Sequence, residues 1–218
     1  MADTTHAQPT VTDALRADIL AGRFEPGDRL LEVALSEHYA VGRAAIRSAL
    51  VELTTEGLVQ RQTNRGAVVR RISIEEAIQI NEARAALESL IAAKAASIAT
   101  AEERVELQGI IDRMRAAVAE DRGGDYSDLN ALLHRRLREM GGHVVAAELV
   151  DNLRNRAAHH QYRLALMPGR PGQSLEQHAS IVDAVVAGDE DGAAEAMRVH
   201  LLSVIDVLRR WGDASGIG

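Results

Sequence analysis

Three histidines stand where apolar residues are expected. His134 follows Asn130 by four positions on a face shared with Leu133 and Leu137, His178 lies with Ile181, Val182 and Val185, and His200 lies with Met197, Leu201 and Val204. A buried polar group without a partner costs roughly 1–3 kcal/mol, so each imidazole and the Asn130 amide needs a hydrogen bond or a metal. Imidazole nitrogens with an amide oxygen suit zinc, nickel or another divalent transition ion, and such a site with open positions takes water or an oxygen-bearing ligand. Taken singly, each histidine also reads as a core residue satisfied by a polar neighbour.

Arginines form the second group. Within AVGRAAIRSALVELTTEGLV, Arg43 and Arg47 fall one helical turn apart with Ala44 beside them, opposite Ala45, Ile46, Ala49, Leu50 and Leu53. A guanidinium is a rigid fork of donors that takes a guanine edge or a phosphate with two bonds, so this outer face suits a DNA major groove. Arg84 shares a face with Ile80, Leu87 and Ile91, which turns its charge inward, where it needs either Glu88 or the carboxylate of a ligand. Arg163 could serve in the same way, whereas His143 and the pair His159 and His160 read as surface or packing residues.

The elements that must carry these groups fall into two sets. Residues 1–72 give a helix through Val11, Leu15, Ile19 and Leu20, a break at Gly22 and Pro26-Gly27, a short helix over Leu31–Tyr39, and a third starting at Val41 and stopped by Gly57. Two short apolar runs follow, Leu58–Gln62 and Ala67–Arg71, joined by the turn TNRG. Three helices and a hairpin make a winged helix-turn-helix. Residues 73–218 give six helices and no strand, hence an α-helical bundle. Their expected starts are Ser73 with Glu76, Thr100 with Glu103, about Ser127, about Val144, Ser174 with Gln177, and about Asp191, with breaks at RGGD, Gly141-Gly142, PGRPG and GDEDG.

Charge follows the same division. The net charge is -7, yet residues 1–71 hold nine arginines against nine acidic residues, so the whole excess of negative charge lies beyond them. A neutral head with a local basic face on an acidic body fits nucleic-acid binding by the head alone. The chain has no cysteine, which excludes disulfides and thiolate metal sites. MADTTHAQPT lacks the basic start and apolar core of a signal peptide, and no apolar run is long enough to span a bilayer, so a cytoplasmic protein without membrane contact is expected.

The run from ILAGRFEPGDRLLEVALSEHYAVGRAAIRSAL to VQRQTNRGAVV resembles the DNA-binding domain of GntR-type bacterial transcription regulators, covering about 60 residues with helix, turn and wing punctuation in order. That resemblance implies DNA contact by Arg43, Ala44 and Arg47 on the third helix and by Arg65 and Gly66 in the wing. Gly42 stands where the family carries serine, which removes a capping or phosphate-contacting hydroxyl, and Ala44 offers no hydrogen bond. Farther on, Asn130 with His134, EQHASIVDAVVAGD around His178 and MRVHL around His200 resemble the ligand-sensing FCD domain of the FadR branch, in its six-helix, VanR-like form. This implies a metal at Asn130, His134, His178 and His200, held more weakly than where aspartate replaces Asn130, since the amide brings no charge. NEARAALESLIAAKAA resembles the stretch that lines the family's effector cavity, which favours a ligand role for Arg84.

The expected function is therefore a transcription regulator, most simply a repressor, that binds a palindromic operator as a homodimer and responds to a small carboxylate. A metal sensor and a metal-dependent hydrolase using the three histidines are the alternatives. The hydrolase is disfavoured because no inward carboxylate beside the histidines is evident as a base.

Overall fold

Thr10 opens the first helix, α1 (Val11–Leu20), by reciprocal capping: its hydroxyl accepts from the Asp13 N–H at 3.2 Å and the Asp13 carboxylate accepts from the Thr10 N–H at 3.0 Å. The computed structural model describes residues 10–62, 66–165 and 169–215, with the side chains of 158–165 and 213–215 outside that description. The chain divides into two units, Met1–Ile72 and Ser73–Gly218.

In the first unit, α2 (Glu32–His38) and α3 (Arg43–Thr55) follow α1. The third helix begins at Arg43 rather than Val41, and Gly42, which has no hydroxyl, is its uncapped N-cap. Its buried stripe is Ile46, Ala49, Leu50 and Leu53, a complete i, i+3, i+4, i+7 face. Ala45, expected inward, lies one step off that stripe and is exposed, as is Leu20 at the end of α1. The expected hairpin is present as β2 (Val59–Gln62) and β3 (Gly66–Val69), antiparallel with Gln62 opposite Gly66. A third strand, β1 (Arg29–Leu30), pairs with the other edge of β3. Two residues are too few to leave an alternating signal, which is why the sequence did not disclose it. Gly66 has φ +82°, and a Cβ there would lie 3.3 Å from the Leu30 carbonyl oxygen, so glycine lets the wing turn while β1 and β3 stay paired.

The second unit contains α4 (Ile74–Ile98), α5 (Ala101–Ala119), α6 (Gly123–Gly141), α7 (Val144–Ala165), α8 (Arg170–Ala187) and α9 (Glu190–Ser215), with no strand among the described residues. Helix α4 is the spine, touching α6, α7, α8 and α9. Its alanines make close packing possible: Ala77, Ala92, Ala95 and Ala96 are fully buried. At Gly141 a Cβ would lie 2.7 Å from the Ile91 carbonyl oxygen, so that glycine sets how near α6 comes to α4.

Two helix starts differ from expectation. α6 begins at Gly123, because glycines are least harmful in a first turn whose N–H groups have no intrahelical partner; the chain reverses just before, at Asp121 with φ 54°. α8 begins at Arg170, with Pro171 in the first turn, where a missing N–H costs no hydrogen bond. PGRPG is therefore partly helix, and Ser174 and Gln177 lie inside α8 instead of capping it.

Candidate functional site

The bundle brings His134 from α6, His178 from α8 and His200 from α9 together at 2 %, 0 % and 4 % exposure. One nitrogen from each ring lies within 4.8 Å of the others, and the Nε2 atoms of His134 and His178 are 3.3 Å apart. Nitrogens bound at about 2.1 Å around a tetrahedral ion are roughly 3.4 Å from one another, so the cluster has the spacing of a ligand set.

Each ring is oriented from its far side. His134 Nδ1 lies 2.8 Å from Glu88 Oε2, His200 Nδ1 lies 3.1 Å from Gln177 Oε1, and His178 Nδ1 lies 3.4 Å from the Tyr126 hydroxyl. An ionised carboxylate only accepts, so His134 carries its proton on Nδ1 and presents a lone pair at Nε2. Gln177 Oε1 only accepts, so His200 takes the same form, and the Tyr126 hydroxyl can accept from His178 Nδ1 in the tautomer that frees its Nε2. Burial holds His178 and His200 well below the ordinary imidazole range, and burial lowers His134 despite the attraction of Glu88. All three are thus neutral and able to ligate at neutral pH.

Glu88 corrects the expectation that no inward carboxylate stands beside the histidines, being 2 % exposed and in contact with His134. Its place was readable, four residues after Arg84 and three before Ile91. Burial pushes its carboxyl up, but Arg84 and then His134 more than reverse this and hold it well below the usual carboxylate range. Arg84 Nε donates to Glu88 Oε1 at 2.8 Å and Arg84 Nη1 to Asn81 Oδ1 at 2.9 Å, so the buried arginine takes the internal partner that the sequence offered. With both oxygens engaged, Glu88 is an orienting group and not a free base.

Asn130, on α6 one turn before His134, has a buried Oδ1 with no hydrogen-bond partner among the described residues. An orphaned amide oxygen that shares a cavity lining with two of the three neutral imidazoles fits a cation-binding set of one oxygen and three nitrogens. Asn130, His134 and His200 line a cavity of about 80 Å³ whose wall also includes Arg84, Arg154 and Arg170. Arg154 and Arg170 were not singled out from the sequence. Arg154 lies four residues after the buried Val150 and three before the buried Ala157, a spacing that marks it as inward, whereas Arg170 was hidden in what read as a loop. The Arg163 side chain lies outside the described residues, as do those of His159 and His160. His143 accepts the Ala146 N–H on Nδ1 at 3.2 Å and so caps α7.

The head presents its arginines differently. Arg43, Ala44 and Arg47 are exposed at the start of α3. Arg47 is held by Glu32 of α2, through Nε at 3.1 Å and Nη2 at 2.9 Å. Gly66 begins β3, and Arg65 lies outside the described residues.

A winged helix-turn-helix followed by an all-helical unit defines a class of protein, the DNA-binding transcription regulators. Residues 7–69 match the gntR family of bacterial regulatory proteins and residues 79–203 match the FCD domain. The chain belongs to the GntR family of transcription regulators, with an FCD domain, and is not an enzyme. It is 28 % identical over 196 residues to the HTH-type transcriptional repressor RspR of Escherichia coli (strain K12), covering 90 % of this chain and 86 % of that protein. It is 27 % identical over 204 residues to the HTH-type transcriptional repressor GlaR of the same organism, covering 90 % of this chain and 93 % of that protein. Its fold is shared with E. coli McbR/YncC, at a TM-score of 0.78 and 21 % identity over 92 % of this chain and 96 % of that chain. No helix among the described residues is long and apolar enough to cross a membrane.

Proposed function

We propose that this regulator binds a two-fold symmetric operator as a homodimer, reading it with Arg43, Arg47 and the wing residues Arg65 and Gly66, and that a small carboxylate in the helical unit sets its DNA affinity. One head reads only a few base pairs, and two-fold sites are how helix-turn-helix proteins gain specificity. Repression is the sign we assign, since RspR and GlaR are both named repressors. In this reading Asn130, His134, His178 and His200 hold one divalent transition ion, zinc or nickel. Once bound, the ion supplies open positions that attract a carboxylate oxygen.

The observation that carries the sensing half is a cluster of three neutral imidazoles, two of which, His134 and His200, share the wall of one cavity with the orphaned amide oxygen of Asn130. Glu88 and Gln177 orient two of the rings from behind. Effector binding changes DNA affinity to the extent that the effector prefers one conformation, and operator DNA must then change effector affinity by the same factor. The test uses a duplex selected by the purified protein from a random pool, titrated first with zinc or nickel and then with a series of carboxylates. A response that needs both metal and carboxylate supports the proposal. A response to metal alone replaces it with a metal sensor, and a response to neither removes the sensing role.

A further inference from the structure

The charges around the cavity do not balance. Arg84 is neutralised by Glu88, whereas Arg154 has no ion pair or hydrogen bond among the described residues. Arg170, 8 % exposed, donates only to the neutral Ser203 and Gln173, at 3.1 Å and 3.3 Å. The stretch 158–168, whose side chains are outside the description, contains no aspartate or glutamate that could offset them. The acids that act on Arg154 are committed elsewhere, Glu88 to Arg84 and His134, and Asp151 to Arg138 at 2.9 Å. Arginine remains charged in proteins, so among the described residues two cations face one small cavity without an anion of their own. The histidines and Asn130 are neutral donors and subtract nothing; a divalent ion among them would add to the excess.

Resting on the carboxylate-sensing reading above, we propose that the cavity takes a small dianion, a three- or four-carbon dicarboxylate, with Arg154 and Arg170 as the cations that demand its second negative charge. One carboxylate on the metal side satisfies the ion, and a second satisfies the arginines. A monocarboxylate leaves half-buried Arg154 and buried Arg170 unmatched. Size points the same way: one water needs about 10–15 Å³ of such space, so a cavity of about 80 Å³ accommodates roughly five to eight non-hydrogen atoms. Burial, and next the nearness of Arg84, pull Arg154 down to about 10, which reflects the same unmet need for an anion.

Calorimetric titration of the full-length, zinc-loaded protein at fixed ionic strength tests this, with succinate against butyrate and malonate against propionate. Each dicarboxylate should bind about tenfold tighter or more than its monocarboxylate, the scale of a charge-assisted hydrogen bond. Arg154→Gln should shrink that preference to about threefold or less while retaining butyrate binding, and Arg154→Lys should restore part of it. Ligand-free Arg154→Gln should melt no lower than wild type, because a half-buried cation without an ion pair stabilises nothing. Arg170→Gln provides a second variant with the same expected loss of preference. Equal affinities of succinate and butyrate for the wild type overturn the dianion and leave the carboxylate reading standing. Binding of none of the four overturns both. A lower-melting Arg154→Gln that keeps its full preference makes Arg154 a structural residue and overturns its role here.

Discussion

The two units use polar side chains in opposite ways. In the head, Arg43 and Arg47 are exposed on α3, and Arg47 is paired with Glu32, itself partly exposed. In the helical unit Arg84, Glu88, His134, His178 and His200 are each at most 4 % exposed, with Arg84 and His134 bonded to Glu88, His200 to Gln177 and His178 beside the Tyr126 hydroxyl. A solvated arginine is free to exchange water for a phosphate or a base edge, so its worth appears only on binding. A buried polar group has already given up its water, so its partners must be fixed in the folded state. The contrast teaches that mutations in the head should change DNA affinity and spare stability, whereas mutations in the bundle should change stability and ligand binding together.

The largest effect expected from that contrast is at Glu88. Glu88→Gln leaves Arg84 buried without a counterion and removes the acceptor that fixes the His134 tautomer. Urea unfolding should show a loss of about 3–5 kcal/mol, and metal affinity should fall about 10–100-fold. A loss below about 1 kcal/mol would mean that Arg84 finds another anion, and the contrast between the units would weaken.

Next in size is the metal contribution. An ion bound only to the folded chain stabilises it by about 4 kcal/mol at a thousandfold excess over Kd. Wild-type protein should therefore melt higher with zinc than after chelation, and His178→Ala should abolish that difference. If metal analysis of freshly purified protein finds no ion and zinc leaves the melting temperature of the wild type unchanged, the histidines are core residues.

The same contrast explains what was legible in the sequence. The head was readable because its motif is local: Pro26-Gly27, the α3 stripe and Gly66 each act within a few residues. The bundle gave up its three histidines and Arg84 through helical periodicity, since a polar residue on an apolar face stands out. Glu88 was read only as a partner for Arg84, and its hold on His134 was missed because that residue lies 46 positions away. Arg170 was lost for a local reason, the proline beside it, which reads as a breaker but is tolerated in a first turn. The excess charge of the cavity could not have been read at all, because it needs to be known which acids are committed to which arginines.

Arg43→Ala tests the head directly. It should weaken binding to the selected operator by about 1–3 kcal/mol and relax base preference, with unfolding unchanged within about 0.5 kcal/mol. Arg47→Ala should weaken binding to all duplexes more evenly, as loss of a phosphate contact does. Unchanged affinity in both variants would remove this face of α3 as the reading surface.

The smallest expected effect concerns Glu32. Its carboxylate holds Arg47 at 2.9 Å, and this pairing lowers the Glu32 carboxyl below its ordinary range, with Arg61 and Arg43 adding smaller attractions. The pair is too exposed to matter much for folding, where such contacts contribute about 0–1 kcal/mol. For DNA the carboxylate has two opposing effects: it fixes the direction of the Arg47 fork, and it competes with phosphate for the same donors while repelling the backbone. Competition and repulsion should prevail, because an exposed side chain is restrained only weakly by one such pair, whereas every phosphate nearby feels the added negative charge. Glu32→Gln is therefore expected to tighten binding to operator and random duplex alike by about two- to fivefold at low salt, with the gain vanishing as salt rises, measured by fluorescence anisotropy over a salt series. Weaker binding confined to the operator would show instead that Glu32 aims Arg47 at a particular base, and Arg47 would then join Arg43 as a reader of sequence.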